Sequence, residues 1–187
     1  GVQLMRGPAT MRALSRGSSR RRQSGVSLIE VLVSMLILAI GLVGVAGMQA
    51  LALHNNQEAQ MRSNASSLAY DLADRMRNNV AAATAGLYDP GTASTSSTCY
   101  TSSGCAMGDM ARDDMQRWLT NVAATVPMGE GFVCIDSTPD DGTDASNPQC
   151  DGNGTLFTVK VWWDNDHDGQ ISVTAPNVER LTISFLP

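Results

Sequence analysis

Residues 24–40 read SGVSLIEVLVSMLILAI, and this stretch decides the fold. It opens a long apolar run, because the 18 residues from Val31 to Met48 include no charged side chain. A membrane-spanning helix needs about 20 predominantly apolar residues, so the run predicts a membrane anchor over residues 31–48. Glu30 is the exception, since a carboxylate at the edge of such a run costs free energy and requires a functional reason.

The charges of the chain are unevenly distributed. Residues 1–25 hold six arginines and no acid, whereas the whole chain of 187 residues has a formal net charge of -5. A basic flank predicts that the N-terminal side of the anchor stays in the cytoplasm and that the acidic body lies across the membrane. An acidic body argues against nucleic acid as a partner, because phosphate binding requires clustered Lys and Arg.

A secretory signal peptide is the first alternative for this segment. The basic flank fits, but the apolar run is longer than the roughly 7–15 residues usual in a signal peptide. Glu30 also argues against it, because an ionisable residue at membrane depth calls for a partner of opposite charge. A cut just before Val26 would create that partner, namely a new positively charged N-terminus.

The residues from Gly25 to Val31, GVSLIEV, resemble the type IV prepilin cleavage motif. The resemblance implies that prepilin peptidase removes residues 1–25 as a leader by cutting between Gly25 and Val26. It also implies that Val26, which stands where the family usually has phenylalanine, is N-methylated. Glu30 becomes the fifth mature residue, and it is expected to pair with the N-terminus of a neighbouring subunit during assembly.

Two further features resemble the PilV group of minor pilins, the type IV pilus modification proteins: the sequence LADRMRNN of residues 72–79 and the glycine-rich end of the apolar run. The resemblance implies a minor pilin that is not an enzyme and needs no cofactor. It would be a single-pass inner-membrane protein with a cytoplasmic leader and a periplasmic head, and later part of the extracellular pilus. Its expected role is priming and assembly of the pilus, and hence twitching motility or adhesion.

The same resemblance names the partners: prepilin peptidase, the major pilin, other minor pilins, the inner-membrane assembly platform and the membrane itself. Two alternatives stay open. A pseudopilin of type II secretion shares the leader and Glu30. A membrane-anchored calcium-binding or adhesive domain with an uncleaved anchor belongs to another class, and the intact mass of the extracted protein separates it from a processed pilin.

The predicted fold class is α+β and pilin-like. Apolar residues at helical spacing continue to Met76 and predict one long helix over residues 26–79, about half of it in the membrane, packed on a head of residues 80–187. Within that helix glycines recur at every third position, at Gly41, Gly44 and Gly47. Each weakens the helix by about 1 kcal/mol, which suits either loosening on assembly, as the resemblance implies, or close contact with a neighbouring helix.

The head is predicted to lay a small antiparallel sheet on a short helix. The helix covers Met110–Leu119, with Asp109 as its N-cap and Pro127 as its end. Alternating apolar and β-branched residues predict four strands, over Gly131–Ile135, Leu156–Trp163, Ile171–Val173 and Val178–Phe185.

All four cysteines follow the anchor, and none belongs to a CxxC motif. They indicate disulfides formed in an oxidising compartment. Three pairings are possible, of which Cys99–Cys105 with Cys134–Cys150 is favoured.

Asp164, Asp166 and Asp168, followed by Gly169, match the first half of a calcium-binding loop. The twelfth loop position is Ala175 rather than glutamate, and predicted strands flank the segment instead of helices. A polar hairpin turn between Trp163 and Ile171 is therefore favoured, and no metal is predicted. No catalytic constellation surrounds either histidine, so an enzyme is not expected.

Overall fold

The computed structural model describes residues 25–174 and 179–187. Two predictions extend beyond them: residues 1–24 of the leader, and Val178 at the start of the last predicted strand, lie outside the described residues. The chain divides into two compact units, one up to Gly47 and one from Met48 to Pro187.

Helix α1 runs from Leu28 to Asn78, a length of 51 residues, and so belongs to both units. It begins two residues later than the sequence predicts, because the carbonyl of Ser27 accepts the first turn's amides, from Glu30 at 2.9 Å and Val31 at 3.2 Å. Between Leu28 and Gly47 every residue is exposed. This part of α1 is long and apolar enough to cross a membrane, and it buries none of its apolar surface within the chain.

Residues 48–57 of α1 are exposed as well, and the helix buries one stripe only in its last third. The stripe consists of Ala65, Ala69, Leu72, Ala73 and Met76. Three helical elements follow: α2 at Val80–Thr84 and two short 3-10 turns at Pro90–Thr92 and Ser97–Tyr100.

Helix α3 covers Met107–Thr125 and is longer than predicted. The prediction of Asp109 as N-cap is wrong, because Ala106 occupies that position and Asp109 lies inside the first turn. There its carboxylate pairs with Arg112 at 3.1 Å, and its negative charge is stabilised by the positive end of the helix dipole. The helix ends where expected, since Val126 precedes Pro127 and adopts an extended conformation at φ -122°.

Three strands form one antiparallel sheet in the order β1-β2-β3. They are β1 at Glu130–Ile135, β2 at Phe157–Trp162 and β3 at Arg180–Phe185. The predicted strand at Ile171–Val173 does not form. Its middle amide, that of Ser172, donates to the side chain of Glu179 at 2.6 Å and is therefore not available to a strand ladder.

The core lies between this sheet and the helices α1 and α3. Trp118 of α3 is fully buried at its centre, and its indole N–H donates to the carbonyl of Leu68 in α1 at 2.8 Å. On the sheet side the ring covers Gly131, where a Cβ atom would come within 2.4 Å of it. One tryptophan therefore joins both helices and the first strand.

The opposite face of the sheet is covered by the connection between β1 and β2, residues 136–156. Arg180 of β3 donates to the carbonyl of Gly142 at 2.7 Å, and Thr182 donates to Asp140 at 2.9 Å. Lys160 of β2 is enclosed beneath the same connection. As a result β2 is buried on both faces rather than alternating between core and solvent.

Two disulfides stabilise the connections of the head. They join Cys99 to Cys105 and Cys134 to Cys150, which is the pairing favoured from the sequence. The first closes a small loop before α3, and the second ties the end of β1 to the connection that follows it.

A candidate processing and assembly motif before helix α1

The residues predicted to be cut lie just outside helix α1. Gly25, Val26 and Ser27 are non-helical and exposed, with Val26 at 69% exposure, and nothing lies within 4 Å of a Cβ built on Gly25. A peptidase must hold its substrate backbone in an accessible, non-helical form, and glycine permits close approach because it has no side chain. The segment meets both conditions.

Glu30 lies in the first turn of α1, one turn after Val26. Its carboxylate is exposed, and within the described residues no ion pair or hydrogen bond engages it. The first turn of a helix favours a negative charge, so the position itself is stabilising. A nearby serine contributes only a backbone contact, since the Ser34 hydroxyl donates to the Glu30 carbonyl at 2.7 Å. The carboxylate is thus available to a group outside this chain.

The Cys99–Cys105 loop is held on helix α3 by one buried acid. Asp113 is 4% exposed and accepts hydrogen bonds from the Ser96 amide at 2.9 Å and the Tyr100 hydroxyl at 2.5 Å. The bond to Asp113 raises the pKa of Tyr100. The Asp113 carboxylate therefore orders a loop that is otherwise rich in small polar residues.

A second polar cluster joins α1 to α3. The Arg75 guanidinium pairs with Asp71 at 3.0 Å and with Asp114 of α3 at 2.9 Å. The Tyr88 hydroxyl donates to Asp114 at 3.1 Å. Burial, followed by the charge of Asp114, raises the pKa of Tyr88.

The segment that resembles a calcium loop is a turn, and its acids hold the backbone. Asp164 accepts the amides of His167 at 2.7 Å and Gly169 at 3.0 Å. The predicted hairpin is wrong in one respect, because no strand follows the turn at residues 171–173. Turn formation by Asp and Gly explains the sequence pattern here.

The third acid that lies close to both Asp164 and Asp166 is Glu179, not the Asp168 that the sequence spacing suggests. Ligand atoms of Asp164, Asp166 and Glu179 lie within 4.8 Å of one another, whereas Asp168 is not part of this group. The Glu179 carboxylate accepts the amides of Asn165 at 2.9 Å and Ser172 at 2.6 Å. These acids are therefore engaged by loop amides, and the group is explained as a scaffold for the turn.

One buried site, formed by Lys160 with Asp136 and Asp141, is not apparent from the sequence pattern. The Lys160 Nζ atom lies 2.6 Å from a carboxylate oxygen of each acid. Strand alternation places Lys160 on the solvent face of β2, so periodicity conceals it. A signal was present nevertheless, since Lys160 is the only lysine in the chain.

Together these features define a class of protein in which a long helix, with Glu30 in its first turn and an exposed apolar surface, precedes a disulfide-bonded α+β head. Comparison with family models agrees. Residues 20–46 match the prokaryotic N-terminal methylation motif, and residues 47–116 match the type IV pilin Tt1218 family. Neither a curated protein nor a solved structure matches the chain.

The two adjoining matches cover residues 20–116, so the chain carries an N-terminal methylation motif followed by a type IV pilin domain. Type IV pilins are structural subunits, so the protein is not an enzyme.

Proposed function

We propose that this pilin is a minor pilin of the PilV type, which takes part in priming and assembly of the type IV pilus and so supports twitching motility or adhesion. The observation that carries the proposal is the free Glu30 carboxylate at the start of a helix whose apolar surface is wholly exposed between Leu28 and Gly47. Such a surface requires lipid or neighbouring helices. A plain anchor has no use for the carboxylate, whereas an assembling subunit does.

In this proposal prepilin peptidase cuts between Gly25 and Val26 on the cytoplasmic face, and Val26 is then N-methylated. Residues 26–79 form the mature helix, anchored in the inner membrane by residues 31–48, and residues 80–187 form a periplasmic head. The disulfides of the head suit an oxidising compartment. In the filament, Glu30 pairs with the amine of Val26 in a neighbouring subunit, where low dielectric strengthens the attraction. The proposed neighbours are the major pilin and other minor pilins, delivered by the inner-membrane assembly platform.

Processing is tested by the intact mass of the protein extracted from membranes. We expect the mass of residues 26–187 plus one methyl group, less the four hydrogens lost in forming two disulfides. A mass that includes residues before Val26 would show an ordinary uncleaved anchor and overturn the proposal.

Assembly is tested by replacing Glu30 with alanine and measuring the protein in sheared pilus fractions. Removing one partner of a buried charge pair leaves the other uncompensated, so incorporation should fall at least about tenfold while membrane levels stay the same. Ser34→Ala is the matched control, because Ser34 lies one turn further along the same helix and touches only the Glu30 backbone. Equal incorporation of both variants would refute the pairing.

Comparison of strains separates pilus from secretion. The protein should disappear from the filament fraction when the pilus assembly platform is deleted and persist when the type II secretion platform is deleted. The reverse result identifies a pseudopilin.

A further inference from the structure

Lys160 is the only lysine in the chain, and the other twelve of its 13 Lys and Arg residues are arginines. It lies on the central strand β2 and its side chain is 0% exposed, although lysine is almost never fully buried unless paired. The choice of residue matters chemically. Arginine stays protonated in proteins, whereas a lysine amine can lose its proton and act as a nucleophile.

Two carboxylates converge on this amine. The Nζ atom lies 2.6 Å from Asp136 Oδ2 and 2.6 Å from Asp141 Oδ1, and the Asp136 side chain is also 0% exposed. The remaining contacts of Nζ are with the backbone carbonyls of Pro148 at 2.8 Å and Asp141 at 3.2 Å. The amine and the Asp136 carboxylate are therefore held against each other away from solvent, whereas the Asp141 side chain is 32% exposed.

Thr138 orients both acids. Its amide donates to Asp136 Oδ1 at 3.0 Å, and its hydroxyl donates to Asp141 Oδ2 at 2.8 Å. Within the described residues Asp136 Oδ2 has no hydrogen-bond partner and faces Lys160. One oxygen of Asp136 thus meets a donor that can stabilise negative charge, and the other is directed at the amine.

We propose that Lys160 and Asp136 form an intramolecular isopeptide bond, with Asp141 transferring the protons. The lysine ammonium gives a proton to Asp141, and the freed Nζ electron pair attacks Cγ of Asp136. Negative charge gathers on Oδ1, which faces the Thr138 amide. The Cγ–Oδ2 bond then breaks, and Oδ2 leaves as water with the two protons that Nζ has lost.

The reaction is balanced without a cofactor. An ammonium and a carboxylate become a secondary amide and water, and Asp141 is a carboxylate at the beginning and the end. Burial raises the pKa of Asp141, but the hydrogen bonds from Lys160 and Thr138 outweigh that effect and keep its pKa below the usual value. The fixed geometry accelerates the reaction most, since well-oriented intramolecular reactions reach effective concentrations of about 10⁵ M or more.

The bond would link the centre of the sheet to the residue that follows β1. Together with Cys134–Cys150 it would fasten both ends of the segment that covers the outer face of β2. Unlike the disulfide, an amide resists reduction, so the head would keep this link when its cysteines are reduced.

Tryptic digestion of the purified full-length chain tests the proposal, after denaturation, reduction and alkylation. Trypsin cuts after lysine and arginine, and Lys160 is the only such site between Arg117 and Arg180. A free Lys160 yields the peptides 118–160 and 161–180. The isopeptide instead yields one peptide 118–180, lighter than its sequence by one water, whose fragments place the link between Asp136 and Lys160. Complete cleavage at Lys160 would overturn the proposal and leave an ion pair only.

Two variants test the role of Asp141. Asp141→Asn removes the proton acceptor, and we expect the bond to form at least about 100-fold more slowly, so that freshly made protein is cut at Lys160. Asp140→Asn is the matched control, because the exposed Asp140 side chain accepts a hydrogen bond from Thr182 and does not contact Lys160. This variant should keep the uncut peptide. Equal cleavage at Lys160 in both variants would show that Asp141 does not take part in the reaction. The digest of the unmodified chain decides the bond itself, even where a variant fails to fold.

Discussion

At the scale of single residues, the packing of the head depends on the absence of a side chain at Gly131. A Cβ atom there would lie 2.4 Å from the Trp118 ring, well inside van der Waals contact. The ring cannot easily step aside, because its N–H is fixed on the Leu68 carbonyl. Glycine is required at this position because the Trp118 ring lies close to the backbone, and not because of an unusual backbone angle.

Gly131→Ala should therefore destabilise the head by about 1–3 kcal/mol through overpacking. Trp118→Phe makes room at the same place, so the double variant should lose less than the sum of the two single losses, with a coupling of at least about 1 kcal/mol. Urea unfolding followed by circular dichroism measures all three variants. Strictly additive losses would show that the two residues do not compete for space.

The burial of Lys160 is not predictable from the local sequence pattern. Alternation along β2 predicts Phe157, Val159 and Val161 on the core side, and Val159 and Val161 are fully buried there. Thr158 and Lys160 on the other face are fully buried as well. Whether that face meets solvent depends on where the β1–β2 connection folds back, which is a long-range fact that local periodicity does not contain.

At the scale of elements, the long helix is the most predictable part of the protein. Its apolar run, the spacing of its later stripe and the absence of proline all act locally, so α1 departs from its predicted bounds by two residues at one end and one at the other. The predicted N-cap at Asp109 and the predicted strand at Ile171–Val173 failed for a different reason. Asp109 lies inside the first turn of α3, where its carboxylate accepts from Arg112, and the Ser172 amide donates to the side chain of Glu179 instead of a neighbouring strand.

The glycines of the anchor belong to the same scale. Helix α1 is continuous through Gly41, Gly44 and Gly47, and nothing lies within 4 Å of a Cβ built on any of them. The isolated chain thus gives no packing reason for glycine. A reason must come from the assembled state, where the helix either loosens or meets a neighbour closely.

Substitutions at Gly44 distinguish these two roles. Alanine is the strongest helix former, whereas serine is weaker and slightly larger. If the helix loosens during assembly, as we expect, Gly44→Ser should enter filaments better than Gly44→Ala. Close packing against a neighbouring helix predicts the opposite order, because the larger serine side chain would then hinder entry into filaments more than alanine does. Ala46→Ser serves as the control for a serine at a neighbouring position, and all variants should leave the unfolding of the head unchanged.

At the scale of the whole molecule, two units meet different demands. The first exposes its apolar side chains between Leu28 and Gly47, while the second, from Met48, buries a core of its own and adds two disulfides. The head carries most of the acids of the chain, and many of them hold loops rather than lie free in solvent. Asp113, Asp136 and Asp164 are buried, and each accepts hydrogen bonds from backbone amides of its connection. The order of the long connections therefore depends on carboxylates that accept hydrogen bonds from the backbone.

This dependence predicts acid lability. For Asp164, burial raises the pKa, but the amides of Gly169 and His167 outweigh it, and the folded pKa lies below the usual value of 3.8. The pKa of Asp141 is also lowered. A group whose pKa is lower in the folded state stabilises the fold above its unfolded pKa, and this contribution is lost as the pH falls toward the folded pKa. Thermal stability should thus be nearly constant from about pH 7 to 5 and decline below about pH 4.

The decline can be assigned by substitution. Asp164→Asn removes one of these carboxylates, so the variant should melt at a lower temperature at pH 7 but lose less on acidification than the unmodified chain does. Asp168→Asn, at an exposed position outside the group of Asp164, Asp166 and Glu179, should keep the original acid branch. Melting of the three proteins between pH 7 and 3 in constant salt, followed by circular dichroism, gives the comparison. Parallel acid branches for all three would show that Asp164 does not carry the effect, and that the lability of the head arises from other carboxylates.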